Sequence, residues 1–161
     1  MTRKVVSLFL SALFALFITA CSAEVQKPLT EKSTYGELSH TYTSPEINLD
    51  MYVEKTEYEA PLLDVDFEIK NSGPGTIHFG VEYQVDKLEQ GVWHVVPFRE
   101  NHGVPSIGVE LEPEKTYQGK VEAASFDYSF PPGEYRIIKK VYLNGKDFVL
   151  ATVFHVKELA K

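Results

Sequence analysis

The chain has 161 residues, 43% of them hydrophobic, and a formal net charge of −7 at pH 7. That length fits one domain with a tail. The acidic balance argues against nucleic acid as a partner, which wants clustered Lys and Arg, and against a domain lying flat on anionic lipid. Cys21 is the one cysteine, so an intramolecular disulfide is impossible and the core must come from apolar burial.

Residues 1–20 form a leader. Arg3 and Lys4 make a short positive region, and Val5 to Ile18 is apolar apart from Ser7 and Ser11. A spanning helix needs roughly 20 apolar residues, so this shorter run reads as a secretory signal. Its end, Ile18-Thr19-Ala20-Cys21, resembles the lipobox of bacterial lipoproteins. The resemblance implies a diacylglyceryl group on the Cys21 thiol, cleavage just before that residue, and often acylation of the new amino terminus. One acyl chain binds a membrane marginally, at about 0.8 kcal/mol per buried methylene, whereas two hold it stably. Loss of Arg3 and Lys4 moves the net charge from −7 to −9.

Residues 21–45 are polar and without sustained period, which predicts a flexible linker. A coil of roughly 24 residues would reach about 25–30 Å on average. Residues 46–161 form the expected domain. Glu46–Thr56 offers an opening strand. In PLLDVDFEIK, Leu63, Val65, Phe67 and Ile69 alternate with Asp64, Asp66, Glu68 and Lys70, the pattern of a half-buried antiparallel strand. After the turn cluster NSGPG, Ile77, Phe79, Val81, Tyr83 and Val85 alternate with polar residues and Gly80, and VWHVVPF follows a further turn. A long loop, RENHGVPS, leads to Ile107, Val109 and Leu111, and another run surrounds Tyr117 and Val121. EYRIIKKVYL and DFVLATVFHV flank Asn144-Gly145, a strong hairpin signal because a type I′ turn needs positive φ at both positions. About seven strands with regular turns and no convincing helix predict an all-β fold, an antiparallel β-sandwich.

FPPGEYRIIKK adds detail. A Pro-Gly turn before Glu134-Tyr135-Arg136 matches the tyrosine corner of immunoglobulin-like sandwiches, where the phenol bonds back to upstream backbone. With VEYQVDKLEQGVWHVVPF and LEPEKTYQG, it resembles a bacterial Ig-like domain family of cell-surface proteins and lipoproteins over about residues 50 to 157. The matching positions are Asn71, Trp93 and Gly133-Tyr135-Arg136. The resemblance implies a fold and structural roles for Asn71, Trp93, Gly133 and Tyr135, and brings no catalytic residue. Ile137 stands where antibody domains carry a cysteine two residues after the tyrosine, and Trp93 falls after a hairpin turn.

No His-Glu-x-x-His, phosphate-binding glycine loop or paired Cys ligands occur. GVPSIG misses the Gly-x-Ser-x-Gly spacing around Ser106. His94 and His102 flank the loop that carries Arg99, Glu100 and Asn101, and two imidazoles with a carboxylate are zinc-ligand types. An outward-facing His94 and a solvated loop explain the same residues more simply. Asp64, Asp66 and Glu68, two apart on a strand, line one solvated face instead of converging as calcium ligands do. Phe126, Tyr128 and Phe130 read as the closure of the sandwich core.

These features predict a non-enzymatic, lipid-anchored Ig-like module without cofactor or metal, facing away from the cytoplasm at the cell surface or in the periplasm. It is attached to the membrane through Cys21 and binds an envelope or extracellular protein, with Arg99, Glu100, Asn101 and His102 as the candidate contact loop. An inhibitor or immunity-type protein is the alternative, and a metal-dependent factor using His94 and His102 is a third.

Overall fold

A computed structural model describes residues 28–103 and 105–159. The leader and Cys21 lie outside the described residues. The strands are β1 (Thr41–Thr43), β2 (Asn48–Val53), β3 (Glu57–Glu59), β4 (Asp64–Asn71), β5 (Ile77–Gly80), β6 (Gln84–Glu89), β7 (Val92–Val95), β8 (Gly108–Leu111), β9 (Thr116–Glu122), β10 (Gly133–Leu143) and β11 (Lys146–Lys157). A 3-10 turn at Ala123–Ser125 is the one helical element among the described residues.

Two sheets face each other. The small one has the order β1-β2-β4-β9. The large one runs β3-β11-β10-β5-β8, with β6 also pairing with β10 and carrying β7. Within β4, Val65, Phe67, Ile69 and Asn71 are buried while the residues between them are not. Val65, Phe67 and Ile69 meet Tyr135, Ile137, Val141, Phe154 and Val156 of the large sheet in one core. The β10–β11 hairpin is the spine, pairing Gly133 with Val156 through to Leu143 with Lys146. Asn144 and Gly145 turn it at φ 49° and 75°.

Eleven strands replace the seven foreseen because several runs are broken. The alternation from Ile77 to Asp86 is not continuous: β5 and β6 both pair with β10, but Val81–Tyr83 bulges out between them. β3 is a three-residue strand that adds parallel to β11. Leu63 does not join the inner face of β4. It is 76% exposed, and Leu62 is buried instead, because the alternation applies only where a ladder holds the chain, which begins at Asp64.

The larger difference is at the amino-terminal side. Residues 31–43, expected within a flexible linker, form a strap packed on the domain. Val95 N–H donates to Glu31 O, Ser33 N–H to Trp93 O, Ala151 N–H to Ser39 O and Met51 N–H to His40 O. Residues 41–43 then become β1. The strap crosses the outer face of the large sheet, so Arg136, Ile138 and Ala151 are buried although they lie outside the central core. It is in effect a third layer.

Candidate functional site

Tyr135 is fully buried, and its hydroxyl donates to Pro131 O at 2.5 Å. Burial holds its pKa far above the usual phenol range. Its ring stacks on Phe154 at 5.4 Å and meets Phe130 at 5.3 Å, and Phe130 contacts Phe126 at 5.2 Å and Tyr128 at 5.8 Å. The aromatic stripe before the turn therefore closes the core. Gly133 lies against the Lys87 side chain, whose Cε would stand 3.0 Å from an added Cβ. Asn71 is a buried clamp: its Nδ2 donates to Gly75 O at 2.8 Å and Leu111 O at 3.0 Å, and its Oδ1 accepts from Gly73 N–H.

Trp93 stands on the outer face, where the Arg136 guanidinium lies 4.4 Å from its ring centroid. It is therefore not the buried inter-sheet Trp of antibody domains. Arg136 pairs with the fully buried Asp86 through Nε and Nη2, both at 2.9 Å from Oδ2. Its remaining donors reach the strap: Nη1 to Gly36 O at 2.7 Å and Nη2 to Tyr35 O at 2.9 Å and Ser33 Oγ at 3.3 Å. Gln84 Nε2 donates to Asp86 Oδ1 at 2.7 Å. The planar guanidinium suits this work because its donors diverge in a fixed fork. A polar strand pattern conceals such a clasp, since Asp86 and Arg136 sit 50 residues apart.

Lys139 points inward with 1% of its surface exposed. Its Nζ donates to the carbonyls of Gly80 and Glu82, bridging the bulge between β5 and β6. Burial pushes its pKa down to about 8. The ammonium has three N–H donors, and these two carbonyls take two of them.

The candidate loop begins pinned. Arg99 N–H donates to Ser125 O and Arg99 Nε to Ala124 O at 2.7 Å, while His102 N–H donates to Arg99 O. The His102 ring stacks on Phe98 at 4.6 Å, and Phe98 stacks on Phe126 at 4.3 Å. Glu100 and Asn101 are exposed at the turn. His94 instead bonds Val92 O through Nδ1 on β7. Among the described residues no group of three or more His, Cys, Asp or Glu could hold a metal ion.

The pinned loop forms one wall of a slot of about 210 Å³ at the open side of the sandwich. Tyr83, Phe98, Tyr117 and His102 line it, with Glu82, Lys120 and Glu122 also on its walls. Tyr83 packs against Phe98 at 5.8 Å and bonds the Glu122 backbone through its hydroxyl. Burial raises the pKa values of Tyr83 and Tyr117. Single aromatic positions in the sequence do not reveal this slot, because its walls come from four separate segments.

Facing antiparallel sheets with a tyrosine corner define an immunoglobulin-like sandwich. Residues 45–155 match the family model of the bacterial Ig-like domain, and the chain belongs to that family. Domains of this kind generally serve surface or structural roles and are generally non-enzymatic. No curated protein matches the chain. Among solved structures, similar ones include the β-glucosidase EmGH1 from Erythrobacter marinus, at 15% identity and TM-score 0.36, covering 69% of this chain and 16% of that one. Another is the archaellum periplasmic stator protein FlaG from Sulfolobus acidocaldarius, at 14% and 0.36, covering 66% and 98%. A third is the alkylpurine DNA glycosylase AlkC from Pseudomonas fluorescens, at 11% and 0.36, covering 70% and 30%. The chain thus spans less than a third of either enzyme, and at such values the likenesses say nothing about activity.

Proposed function

We propose that this protein is a lipoprotein that displays a single Ig-like binding module on the outer side of a cell membrane. The membership of residues 45–155 in the bacterial Ig-like family carries the reading, because surface modules of that kind act through contacts. Ile18-Thr19-Ala20-Cys21 behind a short apolar run supports the anchor. In this reading Cys21 carries the two acyl chains that stable attachment requires. A tethered domain needs only weak contacts, since confinement to a thin shell raises its effective concentration toward neighbours in that shell.

The docked strap shortens the tether. Leu29 already packs against the core, so residues 22–27 alone separate Cys21 from the first described residue. Fully extended, seven Cα–Cα steps reach about 25 Å. The module is therefore held close to the headgroups, within reach of other membrane-bound proteins. Fractionation of cells expressing Cys21→Ala tests the anchor. The variant should leave the membrane fraction or accumulate with its leader uncut. Mass spectrometry showing a mature protein with an unmodified amino-terminal cysteine would overturn the reading.

A further inference from the structure

The small sheet ends at β9, and no strand among the described residues pairs with its far side. Ala123 N–H donates to Leu63 O and Asn71 N–H to Lys115 O. These bonds fix the phase of the ladder, so Tyr117, Gly119 and Val121 turn their backbone groups toward β4. Thr116, Gln118 and Lys120 consequently turn theirs outward. At Glu122, the last position of that row, the Tyr83 hydroxyl engages the backbone. An outward row of N–H and C=O groups is a template for an added strand.

The aromatic slot opens beside this same edge, with Tyr117, Lys120 and Glu122 of β9 among its walls. Its volume of about 210 Å³ is below the roughly 300–1,000 Å³ of ordinary small-molecule pockets. It suits one side chain. Phe67 fills the inner face over Gly119, so a strand added to β9 would direct its inward side chains past Phe67 into the slot that Phe67, Tyr83 and Phe98 line. Lys120 is held by Asp64 at 3.5 Å and Asp66 at 3.3 Å, which leaves the carboxylates of Glu82 and Glu122 to set the sign of the slot's charge.

We propose that β9 receives an extended segment of a partner protein, whose single aromatic side chain enters the slot with a basic residue beside it. This deepens the reading of the domain as a binding module and rests on it. A second copy of β9 does not fit. Paired about Gly119, it would bring only Tyr117, Gly119 and Val121 inward, and Tyr117 is packed on Phe79 at 5.0 Å while Val121 is fully buried in its own core.

The test uses the full-length acylated protein in detergent and a panel of Thr-rich strand-forming peptides. Each peptide carries one Lys and a central Trp, Phe, Leu or Ala, and binding is read by calorimetry. The Trp peptide should bind at least about tenfold more tightly than the Ala peptide, and N-methylating the amides that face β9 should abolish binding. Gln118→Pro removes one outward N–H while sparing the β4 ladder. It should lose the peptide at an unchanged melting temperature; if it melts early, the N-methylated peptide decides the point. His102→Ala should weaken the Trp peptide and leave the Ala peptide unaffected. The proposal is overturned if no peptide binds at up to about 1 mM, if Trp and Ala peptides bind alike, or if Gln118→Pro dissolves a concentration-dependent dimer. Photo-crosslinkers placed at Gln118 and at the exposed Val153 on intact cells separate the two readings. Adducts at Gln118 support the β9 site. Adducts at Val153 alone would keep the binding module and discard β9 as its contact, and adducts at neither would count against both.

Discussion

Tyr135 illustrates how much one polar atom matters in a dry core. Its hydroxyl donates a short bond to Pro131 O, and Tyr135→Phe removes it without changing the packing of the ring. The expected loss is about 1 kcal/mol in denaturant unfolding, the usual net value of one hydrogen bond. Gly119 is a steric case. An added Cβ would lie 2.3 Å from Phe67 Cζ, and Phe67 is 1% exposed with nowhere to retreat. Gly119→Ala should therefore cost about 1–3 kcal/mol by overpacking, visible as a lowered unfolding midpoint. Lys139 makes stability depend on pH. Its folded pKa of about 8 lies below the unfolded value of 10.5, so between these values the unfolded chain binds more protons and stability rises with pH. Above about pH 10 the unfolded tyrosines ionise more readily than the folded ones, which ends the window. The melting temperature should climb from pH 7 to about pH 9.5, and Lys139→Met should flatten that climb.

At the scale of elements, the strap and the β10 clasp form a unit. Asp86 and Arg136 neutralise each other inside the protein, an arrangement that adds little net stability but is costly to break on one side. Asp86→Ala leaves a buried guanidinium without its carboxylate, and about 3–5 kcal/mol should be lost. Removing the strap has a different cost. A chain starting at Thr43 loses the four backbone hydrogen bonds made through Glu31, Ser33, Ser39 and His40 and the Arg136 bonds to Ser33, Tyr35 and Gly36. At roughly 0.5–1.5 kcal/mol each, with ordering of the strap as an offset, the deficit should be about 2–4 kcal/mol. Paired melts of chains starting at Pro28 and at Thr43 measure it. The Arg99–Ser106 loop carries a structural duty too, since Arg99 and His102 hold Phe98 against Phe126. Shortening it should lower stability as well as alter the slot.

For the whole molecule, the proposed lipid attachment at Cys21 would make the distance between lipid and domain the decisive quantity. Docking of the strap converts most of a long polar segment into part of the fold, so reach is set by whether the Arg136 clasp is closed. A spacer of Gly and Ser inserted after Cys21 should therefore extend the range of cross-links to neighbouring membrane proteins, while leaving the melting temperature unchanged. The same spacer inserted between Tyr35 and Gly36 should lower it, because both residues bond Arg136.

Period-two patterns in the sequence revealed the all-β character, the Asn-Gly pair revealed the Asn144-Gly145 hairpin, and the resemblance to Ig-like domains pointed to the corner around Tyr135; each depends on neighbours a few residues apart. Leu63 marks the limit of that reasoning: alternation assigns it to the core, but the ladder starts one residue later and leaves it in water. The strap was illegible for a related reason. Glu31 to His40 carries no amphipathic period, and its docking is decided by acceptors on its backbone and a guanidinium a hundred residues away. The slot likewise needs Tyr83, Phe98, Tyr117 and His102 to be brought together by the meeting of two sheets. Local sequence determined which segments became strands. Tertiary structure alone decided which edge stayed open, because backbone bonds are satisfied by whichever chain the fold places alongside.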